Sequence, residues 1–276
     1  MSEKIFVLGV GAQKAGTTWL YKYLNGFDDV NTGRLKEYHI WDAVDLDVFR
    51  DRRIGRWAYL RKKIRRKQDA TVLRYEMQNR RGAYEAYFRS IVDQGYRVTG
   101  DITPSYALLP VQRLADLKSR LEAVGLTVKV VFSMRDPVER CWSEARMIRR
   151  MRNQRLTPEL AALSEADHVR AEYSRFHSEQ RTRYQRTVQR LDDVFDKDDI
   201  FYGFYESLFQ APSLERLGQF LGIPVAIEKT AEVVNQSPKT RGLDPELRRE
   251  IAGFYRDTYE FCFDRFPETR ELWNPV

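Results

Sequence analysis

Apolar residues fall into two alternating patterns along this chain. Four short runs are rich in β-branched and aromatic residues: 5–10 (Ile-Phe-Val-Leu-Gly-Val), 97–102 (Arg-Val-Thr-Gly-Asp-Ile), 128–134 (Val-Lys-Val-Val-Phe-Ser-Met) and 199–204 (Asp-Ile-Phe-Tyr-Gly-Phe). Their length and composition predict strands. The stretches between them predict helices over roughly 17–25, 80–94, 110–124, 137–152, 165–196, 213–221 and 244–258. This alternation predicts an α/β fold with a central parallel sheet and helices on both faces. Ligands of such sheets bind at the carboxyl ends of the strands. The segments after 5–10 and after 128–134 occupy two of those ends. Prolines 104, 110, 137, 158, 212, 224 and 238 fall mostly at element borders, and none marks a long linker. A single domain over 1–276 is therefore expected. Residues 45–75 are charged and weakly periodic, and they read as a helical insertion flanking the site.

The first strand runs into Gly11-Ala12-Gln13-Lys14-Ala15-Gly16-Thr17-Thr18, and a helix follows. Strand, glycine-bearing turn and helix together place backbone N–H groups and a helix N-terminus around a phosphate. In the ATP-binding form of such a loop, lysine follows the second glycine. Here Thr17 holds that place and Lys14 lies inside the loop. Ala15, Gly16, Thr17 and Thr18 supply N–H groups and hydroxyls at the helix start, and Lys14 an ammonium. A plain strand-to-helix turn with an exposed lysine is the alternative.

Two further segments carry chemistry. Arg135-Asp136-Pro137-Val138-Glu139-Arg140 ends the third strand and opens a helix, with Pro137 suited to the first turn. Arg135 then lies at the sheet's carboxyl edge. Ser143 follows about two helical turns later and can face the same crevice. An arginine and a hydroxyl suit a terminal phosphate; a capped helix start with Arg135 paired to a carboxylate is the alternative. In Lys36-Glu37-Tyr38-His39-Ile40-Trp41-Asp42, Glu37 and His39 share a face if the segment is extended. Either can act as a general base. The bland reading is a surface carboxylate and a half-buried histidine.

Taken together, these segments resemble the sulfotransferases that use 3′-phosphoadenosine 5′-phosphosulfate (PAPS), in particular the glycan-type enzymes that include the heparan sulfate sulfotransferases. The loop at 11–18 is similar to that family's 5′-phosphosulfate loop, and 135–143 to its 3′-phosphate element. The resemblance implies a P-loop-like fold and PAPS as co-substrate, with Lys14 at the leaving phosphate. It implies Arg135 and Ser143 on the 3′-phosphate and Glu37 as catalytic glutamate, His39 being the alternative base or an orienting partner. No metal is implied. The likeness continues through 100–106, 199–208 and 217–224. Ile102 stands where glycan enzymes often carry a lysine. Lys239 and Arg241, in Ser237-Pro238-Lys239-Thr240-Arg241-Gly242, match the family's late nucleotide-contacting loop loosely.

The net charge of +7 suits an anionic ligand, an acidic substrate or nucleic acid. Two cysteines are too few for a disulfide framework or a cysteine-based zinc site, and no run is apolar enough for a signal or a membrane span. A reducing cytoplasm is the expected compartment. The basic stretch 52–67 and the group Arg146, Arg149, Arg150, Arg152 and Arg155 suit a polyanionic glycan or peripheral contact with an anionic membrane surface; a solvated helical face is the bland alternative. A P-loop kinase or NTPase is the rival enzyme, with Asp101 or Asp136 as its magnesium ligand. A nucleic-acid binder is the rival from another class, without a recognisable motif to support it. The acceptor class (glycan, lipid or small metabolite) and the oligomeric state are left open.

Overall fold

The computed structural model describes residues 3–65, 69–152, 164–227 and 243–275. Four parallel strands, β1 (Ile5–Gly11), β2 (Val98–Ile102), β3 (Thr127–Met134) and β4 (Ile200–Phe204), form one sheet in the order β2-β1-β3-β4. β1 is buried throughout because helices cover both faces. Its side chains alternate: Phe6 and Leu8 enter one core, Ile5 and Val7 the other. The first core takes Tyr84, Phe88 and Ile91 from helix Ala83–Asp93, Leu114, Leu117 and Leu121 from Val111–Glu122, and Tyr184, Val188 and Leu191 from Tyr184–Asp192. The second takes Trp19, Leu20 and Tyr23 from helix Thr17–Leu24, and Leu214, Leu217 and Leu221 from Ala211–Leu221. β2 lies close against β1, and at Gly100 a Cβ would sit 2.4 Å from the Val7 carbonyl oxygen. Only glycine fits there.

The chain leaves β1 for β2 on one side, and β3 pairs on the other. The carboxyl ends of β1 and β3 are therefore the point where strand order reverses. Hydrogen bonds lock these ends together: Ala12 N–H donates to the Ser133 carbonyl (2.5 Å), and Ser133 Oγ donates to the carbonyls of Gly11 (3.2 Å) and Ala15 (2.8 Å). That junction positions the site.

All four expected strands are present. The helix expected over 165–196 is instead three: Glu165–Glu172, Phe176–Thr182 and Tyr184–Asp192. The breaks coincide with long-range contacts. The Tyr173 carbonyl accepts from Tyr255 Oη, and Arg183, whose backbone leaves the helical region, pairs with Asp257. The helix expected over 244–258 likewise divides at the buried Tyr255 into Pro245–Phe254 and Arg256–Arg265. Among the described residues of 45–75 are a 3₁₀ turn at Asp47–Arg52 and the helices Arg56–Arg65 and Ala70–Asn79, whose facing Tyr59 and Tyr75 rings stack at 4.1 Å. Among the described residues, no helix is long and apolar enough to cross a membrane.

Candidate active site

A cleft of about 440 Å³ opens at the joined ends of β1 and β3. Its walls include Gln13, Lys14, Gly16, Thr17 and Thr18 from the loop, Lys36 and Glu37, Arg52, Arg135 and Ser143. The loop makes its turn with residues in the left-handed region: Lys14 has φ 72° and Gly16 φ 90°. Lysine is seldom tolerated there, and such strain concentrates at functional sites. At Gly16 a Cβ would also meet Leu208 Cδ2 at 2.9 Å. Gly16 is the N-cap of Thr17–Leu24 and provides no capping side chain, and the first turn holds no acid. The positive end of that helix, with the N–H groups of Thr17 and Thr18, is left to whatever the cleft holds. The helix after β3 is different: Asp136 Oδ1 accepts from Glu139 N–H (3.0 Å) and caps it.

Cations crowd the cleft. Burial and then the charges of Arg150, Arg135, Arg146 and Lys36 push Lys14 down to about 8. Arg135 lies with its guanidinium carbon 4.3 Å from the Tyr205 ring centre, donates to the Lys14 carbonyl (3.3 Å) and pairs with Glu139 (3.4 Å). Its Nε is buried without a hydrogen-bond partner among the described residues, as are Nε and Nη1 of Arg146 and Nε1 of Trp19. Unpartnered buried donors on guanidinium groups are costly, and anionic oxygens satisfy them. The donor set thus fits an anionic ligand with phosphate-like oxygens.

Glu37 faces these cations with partners of its own. Lys36 Nζ lies 2.9 Å from Oε1, and His39 Nε2 lies 3.0 Å from Oε2. Burial would raise Glu37, but the His39 hydrogen bond and the Lys36 charge prevail and hold it down to about 2. His39, at φ 55°, is outside the cleft lining; its Nδ1 lies 2.7 Å from Asp42 Oδ2, which also accepts from Ser105 Oγ (2.5 Å). Burial lowers the imidazole's affinity for a proton, and Asp42 and Glu37 more than offset it, so its pKa is raised. Arg52 Nη1 lies against His39 Nε2. Arg74 and Gln78, from helix Ala70–Asn79, donate to the carbonyls of Glu37, Tyr38 and His39 and fix the segment. Behind the loop, Arg181 bridges Gln13 Oε1 (2.9 Å) and Glu144 (3.0 Å), and Glu144 also pairs with the fully buried Arg140 (2.8 Å).

The sulfotransferase family model matches residues 5–227. The chain belongs to the sulfotransferase family. A sulfotransferase from Alicyclobacillus acidocaldarius superposes with a TM-score of 0.60 at 21% identity, covering 95% of this chain and 96% of that one. The sulfotransferase domain of the Synechococcus PCC 7002 olefin synthase gives 0.50 at 16% identity, covering 89% and 82%. These two are similar in fold. No curated protein matches the chain at a significant level.

In this sulfotransferase the structure brings Lys14, Gly16, Thr17, Thr18, Glu37, Arg135 and Ser143 to one cleft. Ala15 is buried and outside the cleft lining; its carbonyl accepts from Ser133 Oγ. Lys239 and Arg241 lie outside the described residues. Neither acid that an NTPase reading needs is available. Asp101 accepts hydroxyls from Thr103, Tyr84 and Tyr106 and, pushed up by burial, sits at about 6. Asp136 is spent on the helix cap and on Asn274 N–H. Among the described residues, no group of three or more histidines, cysteines or acids is placed to hold a metal. Sequence reasoning did not assign Gln13, Lys36, Arg52 or Arg150 to the cleft, or Asp42 and Ser105 to the Glu37 network. The Asp42 link was visible as a His-x-x-Asp spacing, and Gln13 and Lys36 lie inside the segments already singled out; Arg52, Arg150 and Ser105 depend on long-range packing.

Proposed function

We propose that this sulfotransferase moves a sulfuryl group from PAPS to a hydroxyl or amine of a glycan, lipid or small metabolite. The observation that carries the reading is the meeting, in one cleft, of the Lys14 loop, the Arg135–Ser143 element and Glu37. PAPS supplies an activated sulfuryl group on a 5′-phosphate, and its 3′-phosphate distinguishes it from ATP. Lys14 and the N–H groups of Thr17 and Thr18 hold the 5′ end and offset negative charge that grows there, which is the electrostatic part of catalysis. Arg135 and Ser143 hold the 3′-phosphate. The Arg181 bridge to Gln13 keeps the loop in register with both.

Glu37 takes the acceptor's proton at a carboxylate oxygen. Held at about 2, it is fully ionised but weakly basic. Lys36, one of the groups that holds it down, also lines the cleft. An anion bound beside Lys36 draws on the same ammonium and lets the basicity of Glu37 rise. His39 orients Glu37 and is itself oriented by Asp42, so the proton has a hydrogen-bonded path away from the cleft.

The test uses radiolabelled PAPS and separated glycan, lipid and metabolite fractions. Label enters one fraction with the native enzyme, and Glu37→Gln lowers the rate by about 10²-fold or more while PAP, the desulfated nucleotide, binds unchanged. Transfer at the native rate by a folded Glu37→Gln protein removes Glu37 as the base. Absence of transfer into every fraction counts against the donor.

A further inference from the structure

Helix Arg56–Arg65 presents an apolar stripe to solvent. Trp57 is 82% exposed, Ile64 86% and Leu60 36%. Spacings of three and four residues align the three along one face. The opposite side packs on the protein: Tyr59 stacks on Tyr75, Lys62 pairs with Asp69 (3.2 Å) and Lys63 with Glu76 (3.8 Å). Two arginines border the stripe, Arg56 one turn before Leu60 and Arg61 one turn after Trp57, so a guanidinium flanks each edge. Among the described residues, the side chains of Arg53, Arg56 and Arg61 make no ion pair. Acids are missing from the helix itself.

We infer that this helix lies in the surface of an anionic lipid bilayer. Trp57, Leu60 and Ile64 enter the headgroup–acyl boundary, and Arg56 and Arg61 meet anionic headgroups. Exposed large apolar side chains ringed by unpaired cations are the surface such an interface recognises, and tryptophan favours that depth. The other occupants fit less well. A polyanionic glycan has no use for Leu60 and Ile64. A second copy of this chain would set Arg56 and Arg61 against like charges. Arg52, four residues before the helix, lines the cleft, so the docked face lies close to the cleft in the chain. The inference goes beyond the sulfuryl-transfer reading and stands without it, because docking needs no nucleotide.

Vesicle sedimentation without nucleotide tests it. The native protein binds vesicles containing phosphatidylglycerol at least about tenfold more tightly than pure phosphatidylcholine vesicles, and salt weakens the binding. Trp57→Ser with Ile64→Ser, both at exposed positions, lowers vesicle binding about tenfold with the melting temperature retained. Of the five tryptophans, the other four are buried, so quenching by brominated lipid reports Trp57. Quenching in the native protein and its loss in a still-bound Trp57→Phe variant support insertion. The inference is overturned by absence of vesicle binding or by binding undiminished in the double variant. Heparin binding or self-association in place of vesicle binding overturns it too.

Discussion

Lys14 stands in a position that works against its own charge. Its backbone is in the left-handed region, and burial with four neighbouring cations pulls its ammonium down to about 8. An anion in the cleft reverses the balance, because it favours the charged form. The sign follows directly: between pH 8 and the ordinary lysine range the free protein has lost the proton and the complex has regained it. Titration calorimetry with PAP near pH 9, in buffers of different ionisation enthalpy, should show proton uptake by native protein. Lys14→Arg, permanently charged, should show none from this site. Equal uptake by both would place the proton elsewhere. At this scale the sequence carried part of the site. Lys14, Thr17 and Glu37 stood in contiguous motifs, and a motif can be read without the fold. Arg52, Arg150 and Ser105 could not be read this way, since each reaches the site or its network only through packing of distant elements. His39 was legible only as two alternatives, a second base or an orienting partner of Glu37; its place outside the cleft lining comes from the fold.

The elements hold the loop from two sides. β3 fixes it through Ser133, and the helices Pro137–Arg152 and Phe176–Thr182 fix it through the chain Arg140–Glu144–Arg181–Gln13. Burial opposes a charge at Glu144, yet Arg140 and Arg181 hold it ionised at about 2. Glu144→Gln removes the charge that both buried guanidinium groups use. Breaking such a buried pair costs about 3–5 kcal/mol, and chemical denaturation of the variant should show a loss of that order. A loss below about 1 kcal/mol would mean that the network carries no weight in the fold. The strands were legible because each is short, apolar and bounded by turns. The break-up of 165–196 was not legible, because its joints at 173–175 and 183 contain neither glycine nor proline. They bend where Tyr173 and Arg183 meet residues more than seventy positions away.

Across the whole molecule, the net charge of +7 is unevenly used. Many arginines pair with acids at the surface, while Lys14, Lys36, Arg135 and Arg150 converge on the cleft at the strand-order reversal. A cleft lined by one sign of charge focuses the field and draws anions to it. The same charge could have served ATP, but Thr17 replaces the P-loop lysine, and Asp101 and Asp136 are committed to hydroxyls and a helix cap. A cleft that recognises a 3′-phosphorylated nucleotide discriminates PAP from ATP. Calorimetric titration with PAP and, separately, with ATP and magnesium tests it most directly. One PAP should bind per chain, about a hundredfold or more tighter than ATP–magnesium, with the preference lost in Arg135→Ala. Equal or tighter binding of ATP–magnesium would contradict it.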